Sequence, residues 1–152
     1  MIAWRFAVNT QAMTDPAPVI QSLITGLPIF MLHLGSATLV WAAALAVYTW
    51  ITPHKEFALI RAGNMAAAIS LGGAAIGLAL PLAFCLAASV NVWDIVIWGS
   101  VTLILQLFAF RVIDLLIGNL SKRIEEDQIA AATFLAMTKI ALAALNAAAV
   151  AG

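Results

Sequence analysis

The chain has 152 residues, with 7 Lys and Arg against 7 Asp and Glu, so its formal net charge is zero. It is 64% hydrophobic and 9% charged, where a soluble domain is about half apolar and about a quarter charged. These figures exclude a water-soluble globule, which has no room to hide that much apolar surface, and they offer no basic surface to a nucleic acid.

Lipid is the solvent that fits. Hydrocarbon offers backbone N–H and C=O groups no partner, so a spanning segment must be a helix or a closed barrel. A barrel needs apolar and polar residues to alternate, and runs such as Ala66-Ala67-Ala68 and Leu103-Ile104-Leu105 do not. The sequence therefore predicts an all-α integral membrane protein, a four-helix bundle.

In chain order, residues 1–26 form an N-terminal lead. They lack the basic start and apolar stretch of a signal peptide, and Trp4 and Phe6 suit the headgroup layer. A span needs about 20 apolar residues. The first runs from Leu27 to Ile51 and ends at Thr52-Pro53-His54-Lys55-Glu56. The second runs from Asn64 to Ala88 and ends before Ser89-Val90-Asn91. The third runs from Asp94 to Ile117 and stops at Gly118-Asn119, and the fourth runs from Gln128 to Val150. The breaks carry Pro, Gly, Asn and charge, as turns do. All connections are short, so consecutive helices are expected to be antiparallel neighbours. The lone Cys85 lies inside an apolar run and excludes an intrachain disulfide.

Lys55 and Arg61 flank the first connection, and Lys122 and Arg123 the third, with Arg111 close by. The second connection has no basic residue and leads into Asp94. Basic loops stay in the cytoplasm, so both termini are expected outside it, against the single contrary charge of Arg5. Sliding the chain by 64 residues lays Gly35-Ser36-Ala37-Thr38-Leu39 on Gly99-Ser100-Val101-Thr102-Leu103, and Asn64-Met65-Ala66-Ala67-Ala68 on Gln128-Ile129-Ala130-Ala131-Ala132. The reading is two tandem hairpin repeats, 27–88 and 89–152, of the same topology and so related by an axis along the membrane normal.

Within the spans, Lys139 carries the most information. It sits near the middle of the fourth span, where a charge costs about 2.5–3.5 kcal/mol on insertion scales. Gln106 is equally central in the third span and is a candidate hydrogen-bond partner. Thr102, Gln106 and Asp114 share one face of the third helix, with Phe110 between them, and Gln128, Ala132, Lys139 and Asn146 share one face of the fourth. If these faces meet, Lys139, Gln106, Thr102 and Asn146 form an intramembrane polar seam. Such a seam is a conduction path, a site for an anionic lipid headgroup, or glue between helices worth about 0.6–2 kcal/mol per hydrogen bond. Arg111 and Asp114 are spaced for an interfacial i, i+3 ion pair. Gly73-x-x-x-Gly77 is a small-residue packing motif for another helix, within the subunit or across a homo-oligomer. Pro81 removes one backbone bond from the second helix.

His33 is either a pH sensor or a satisfied histidine. With His33 and His54 the only histidines, at opposite membrane faces, neither a metal site nor a bis-histidine haem is expected, and no cofactor. Nucleophile–base sets and phosphate loops are absent as well, so the sequence does not read as an enzyme.

Ile60-Arg61-Ala62-Gly63-Asn64-Met65-Ala66-Ala67-Ala68-Ile69, followed by Leu71-Gly72-Gly73, Gly77 and Pro81-Leu82, resembles the signature of the YjfL-like bacterial membrane proteins, domain of unknown function 350. The second half adds Asp94-x-x-x-Trp98-Gly99, Gln106-x-x-x-Phe110, Asp114, Arg123-Ile124, Gln128-x-Ala130-Ala131-Ala132 and Leu145-Asn146-Ala147. The resemblance covers residues 27–152. It departs at Glu125-Glu126-Asp127, which makes the third connection more acidic than the family pattern. It implies a multi-pass protein of the bacterial inner (plasma) membrane, often in two tandem hairpins, and a context of envelope-stress or polyamine-linked genes, but no settled activity. Two functions are expected: an oligomeric conductor of ions, protons or small solutes along the seam, or a structural and interaction protein in envelope maintenance with lipid and membrane-protein partners.

Overall fold

The computed structural model describes residues 15–151, which leaves Trp4, Arg5 and Phe6 outside the described residues. Among those residues every regular element is helical: α1 (Ala17–Ile51), α2 (Glu56–Arg61), α3 (Met65–Ala88), α4 (Val92–Ile117), α5 (Leu120–Glu125) and α6 (Ile129–Ala151). Helices α1, α3, α4 and α6 are each long and apolar enough to cross a membrane. Three of the four match their expected spans within two residues. The fourth, α1, begins ten residues before Leu27. The Asp15-Pro16-Ala17-Pro18 run explains the difference, because Asp15 Oδ1 accepts the Ala17 N–H at 3.0 Å and prolines are tolerated in a first helical turn. Pro28 and Pro81 lie inside helices without ending them.

The described chain divides into two units. In the first, residues 15–32, the α1 backbone carries exposed Val19, Ile20, Leu23 and Ile24. The second unit starts at His33 and holds the rest. Its centre is α3 against α6. The two run parallel: Ala66 N–H meets Asp127 Oδ1 at 2.7 Å, and about two turns further along Gly73 lies against Ala136. A Cβ on Gly73 would collide with the Ala136 backbone, and one on Gly77 would come within 2.7 Å of Phe110. Gly73 and Gly77, the expected packing motif, both lie against residues of this same chain. Tyr48 from α1, Leu71, Ala74 and Leu78 from α3, and Leu103 and Phe110 from α4 fill one apolar core. Ala66 and Ala67, Ile124 of α5, and Ala132 and Leu135 of α6 fill a second, near the short helices.

Outside these cores the long helices show lipid-type surface, with Leu39, Ile104, Leu115, Phe134 and Leu145 all exposed. Exposed Trp50 marks the end where α2 and α5 sit, and exposed Trp93 and Trp98 mark the other, as aromatic belts do.

The ends are built by local polar chemistry. Asn64 caps α3 by accepting the Ala67 N–H at 2.7 Å, and its amide donates to Ile124 O at 2.8 Å. Asn91 and Asp94 form a capping box at the start of α4. Several features recur 64 residues apart: α2 and α5, the starts of α3 and α6, and the positive φ of Gly63 (89°) and Asp127 (56°). Backbone bonds recur with them, as in Asn64 N to Leu59 O and Gln128 N to Arg123 O.

Candidate functional site

Lys139 projects from α6 into the protein with no exposed surface. Its Nζ donates to Tyr48 Oη at 3.0 Å and lies 3.3 Å from Asp114 Oδ1. The rings of Tyr48 and Phe110 present their faces at 4.7 and 5.1 Å, and they pack edge-on to each other with centroids 6.1 Å apart. The helical backbone explains the placement, since side chains lean toward a helix N-terminus. The amine is carried from mid-span toward the end where α6 begins and α4 finishes.

From there the polar chain continues into a buried loop. Tyr48 Oη donates to Glu56 Oε1 at 3.1 Å. His54 Nε2 stands 3.4 Å from the same oxygen, too poorly aligned for a hydrogen bond, and His54 Nδ1 lies 3.2 Å from Ser121 Oγ on α5. Thr52, His54 and Glu56 are all buried. Four buried atoms in this region, His54 Nε2, Glu56 Oε2, Ser70 Oγ and Asp114 Oδ1, have no aligned hydrogen-bond partner.

On the other side of Lys139 the chemistry changes to amides. Gln106 Nε2 donates to the Lys139 backbone carbonyl at 3.4 Å. Asn146 Nδ2 donates to Gln106 Oε1 at 2.9 Å and to Thr102 O at 3.2 Å. Lys139, Gln106, Thr102 and Asn146, the residues expected in the seam, lie as a run of neighbours, with two corrections: Gln106 holds the lysine's backbone, not its amine, and Thr102 takes part through its backbone carbonyl. The amine instead takes Tyr48 and Asp114. That also removes the expected Arg111–Asp114 pair. Among the described residues no such ion pair forms, because Lys139 lies nearer, and Arg111 faces the cavity that Asp114 also lines. Gln128 lies outside the seam, bonded to Arg123 and Glu126.

A cavity of about 510 Å³ opens at the Asn91 end, between Asp94, Trp98, Thr102 and Asn146. A smaller one of about 180 Å³ lies at the short-helix end, lined by Thr52, His54, Arg111, Asp114, Asn119 and Ser121. Between them the interior is packed, with Phe110, Leu135 and Ala143 fully buried. Among the described residues no group of His, Cys, Asp and Glu is placed to hold a metal ion.

Tyr48, His54 and Glu56 escape a sequence reading, since they lie in or beside a connection, where residues normally face water. The one hint is that Tyr48 is the chain's single tyrosine, set one turn before a span ends.

The chain matches the family described as Domain of Unknown Function (DUF350) over residues 22–150. It is 34% identical over 104 residues to UPF0719 inner membrane protein YjfL of Escherichia coli strain K12, covering 68% of this chain and 79% of that protein. The YjfL protein of Escherichia coli O157:H7 matches with the same identity and coverage. No solved structure matches. With its family match spanning most of the sequence and four helices suited to cross a bilayer, this chain belongs to the DUF350 family of bacterial inner-membrane proteins.

Proposed function

We propose that the protein is an oligomeric membrane conductor whose permeating species is the proton. The observation that carries this reading is the Lys139 amine, fully buried and held by Tyr48 and Asp114 inside a spanning helix. Ionisable groups inside a membrane are costly and mark ion or proton paths by default. A packed interior between two end cavities has no room for a hydrated ion or solute, but a proton can hop along hydrogen bonds. The two sides differ in kind. His54, Glu56, Tyr48, Lys139 and Asp114 exchange protons, whereas Gln106 and Asn146 only hydrogen-bond and form the barrier.

An arrangement of two tandem parallel hairpins is supported by the 64-residue recurrence of short helices, positive-φ residues and backbone bonds. The basic residues Lys55, Arg61, Lys122 and Arg123 support a short-helix end in the cytoplasm and both termini outside. Four helices enclose little, so the conducting unit is a homo-oligomer.

The test is proton flux through purified protein in liposomes. Wild type should carry protons at least about tenfold faster than Lys139→Ala. Equal rates at every pH and voltage would overturn the reading. One observation favours a structural and interaction role in the envelope instead: Gln106 and Asn146 bond backbone carbonyls on facing helices, as helix glue does. That role would leave the flux at the lipid background.

A further inference from the structure

The Lys139 chain ends in a ring that faces two ways. His54 comes from a loop, yet only 4% of its surface is exposed. Its Nδ1 lies 3.2 Å from Ser121 Oγ, and its Nε2 lies 3.4 Å from Glu56 Oε1. His54 and Ser121 line the short-helix cavity, and Glu56 does not. At about 180 Å³ that cavity has room for several waters. Glu56 Oε1 in turn accepts the Tyr48 hydroxyl, which receives Lys139 Nζ. Imidazole accepts a proton at one nitrogen while donating from the other, and the Glu56 carboxylate stands within 3.4 Å of Nε2 without being aligned on it. A loop built only for structure would close its buried polar atoms, yet His54 Nε2 and Glu56 Oε2 are left without an aligned partner.

We propose that this cavity is a proton-uptake port and that His54 is its relay, joining cavity water to the Glu56–Tyr48–Lys139 chain. The proposal rests on the conducting reading above and adds the route by which protons reach the chain. A hydronium ion in the cavity gives its proton, directly or through the Ser121 hydroxyl, to Nδ1. The proton on Nε2 leaves for Glu56 Oε1. The products are water, a neutral imidazole with its proton on the other nitrogen, and a carboxylic acid at Glu56. The groups around His54 are Glu56 of α2, Ser121 of α5, and Asp114 and Arg111 of α4 across the cavity. Lys55, next in the chain, is exposed. Tyr48 of α1 and Lys139 of α6 lie further along the chain.

The experiment measures proton flux in liposomes for wild type, His54→Gln, His54→Ala and Lys139→Ala, with and without imidazole in the buffer. Both His54 variants should lose at least about tenfold in flux. Imidazole should restore His54→Ala severalfold and leave Lys139→Ala unchanged, a rescue that a merely structural histidine would not show. If the His54 variants match wild type while Lys139→Ala is slow, the port is overturned and the conducting reading stands. If wild type is no faster than Lys139→Ala, both fall. Should the His54 variants fail to assemble, the ¹⁵N spectrum of His54 in the wild type decides. Exchange between the two tautomers is expected; a single fixed tautomer with a slowly exchanging ring proton overturns the port.

Discussion

Lys139 shows how one side chain can be tolerated where a charge is costly. Its neighbour Thr138 turns its hydroxyl to the Phe134 carbonyl, but α1 supplies a hydroxyl at 3.0 Å and α4 a carboxylate at 3.3 Å. Two aromatic faces complete the shell, and cation–π contacts strengthen when desolvated. Removing one partner from such a pair leaves the other buried and uncompensated, which costs about 3–5 kcal/mol. Asp114→Asn should therefore destabilise the protein by about that amount in detergent unfolding. Arg111→Gln should cost far less, since the pair Arg111 was expected to make is not formed. Lys139 and Gln106 were legible in the sequence because a polar residue in an apolar run has no other reading. Tyr48, His54 and Glu56 were not, because their burial depends on the four-residue connection between α1 and α2 folding inward toward α5, and no periodicity encodes that.

At the scale of elements, the contact that sets the fold is α3 on α6. Gly73 lets the Ala136 backbone approach closely, and Gly77 leaves space for the Phe110 ring that walls the lysine. Gly73→Leu forces the two helices apart, and overpacking of this kind costs about 1–3 kcal/mol. The variant should lower the unfolding temperature. It should also slow flux with Lys139 still present, because Lys139 and Tyr48 sit on helices that this crossing positions. Helix existence and most boundaries were legible from apolar length and turn residues. The start of α1 was missed because Leu27 begins the densest apolar run, whereas the helix begins where Asp15 caps it. The short helices α2 and α5 were missed because six residues carry too little pattern to separate a helix from a loop.

Over the whole molecule, hydrocarbon as solvent imposes the order of events. It forces four apolar stretches into helices, turns small residues into contacts, and makes any interior amine a group that must be held or used. The structure holds it: the buried ionisable groups gather toward the short-helix end, Gln106 and Asn146 lie on the other side of the lysine, and packed side chains separate the two cavities. Whether it is also used separates a conductor from a scaffold. The most direct measurement is proton flux through the Lys139→Met/Asp114→Asn double variant in liposomes. Removing both partners of a buried pair together should restore much of the stability that either single change loses. The conducting account expects that well-folded double variant to remain at least about tenfold slower than wild type. Wild-type flux through a chain with no amine at position 139 would contradict it.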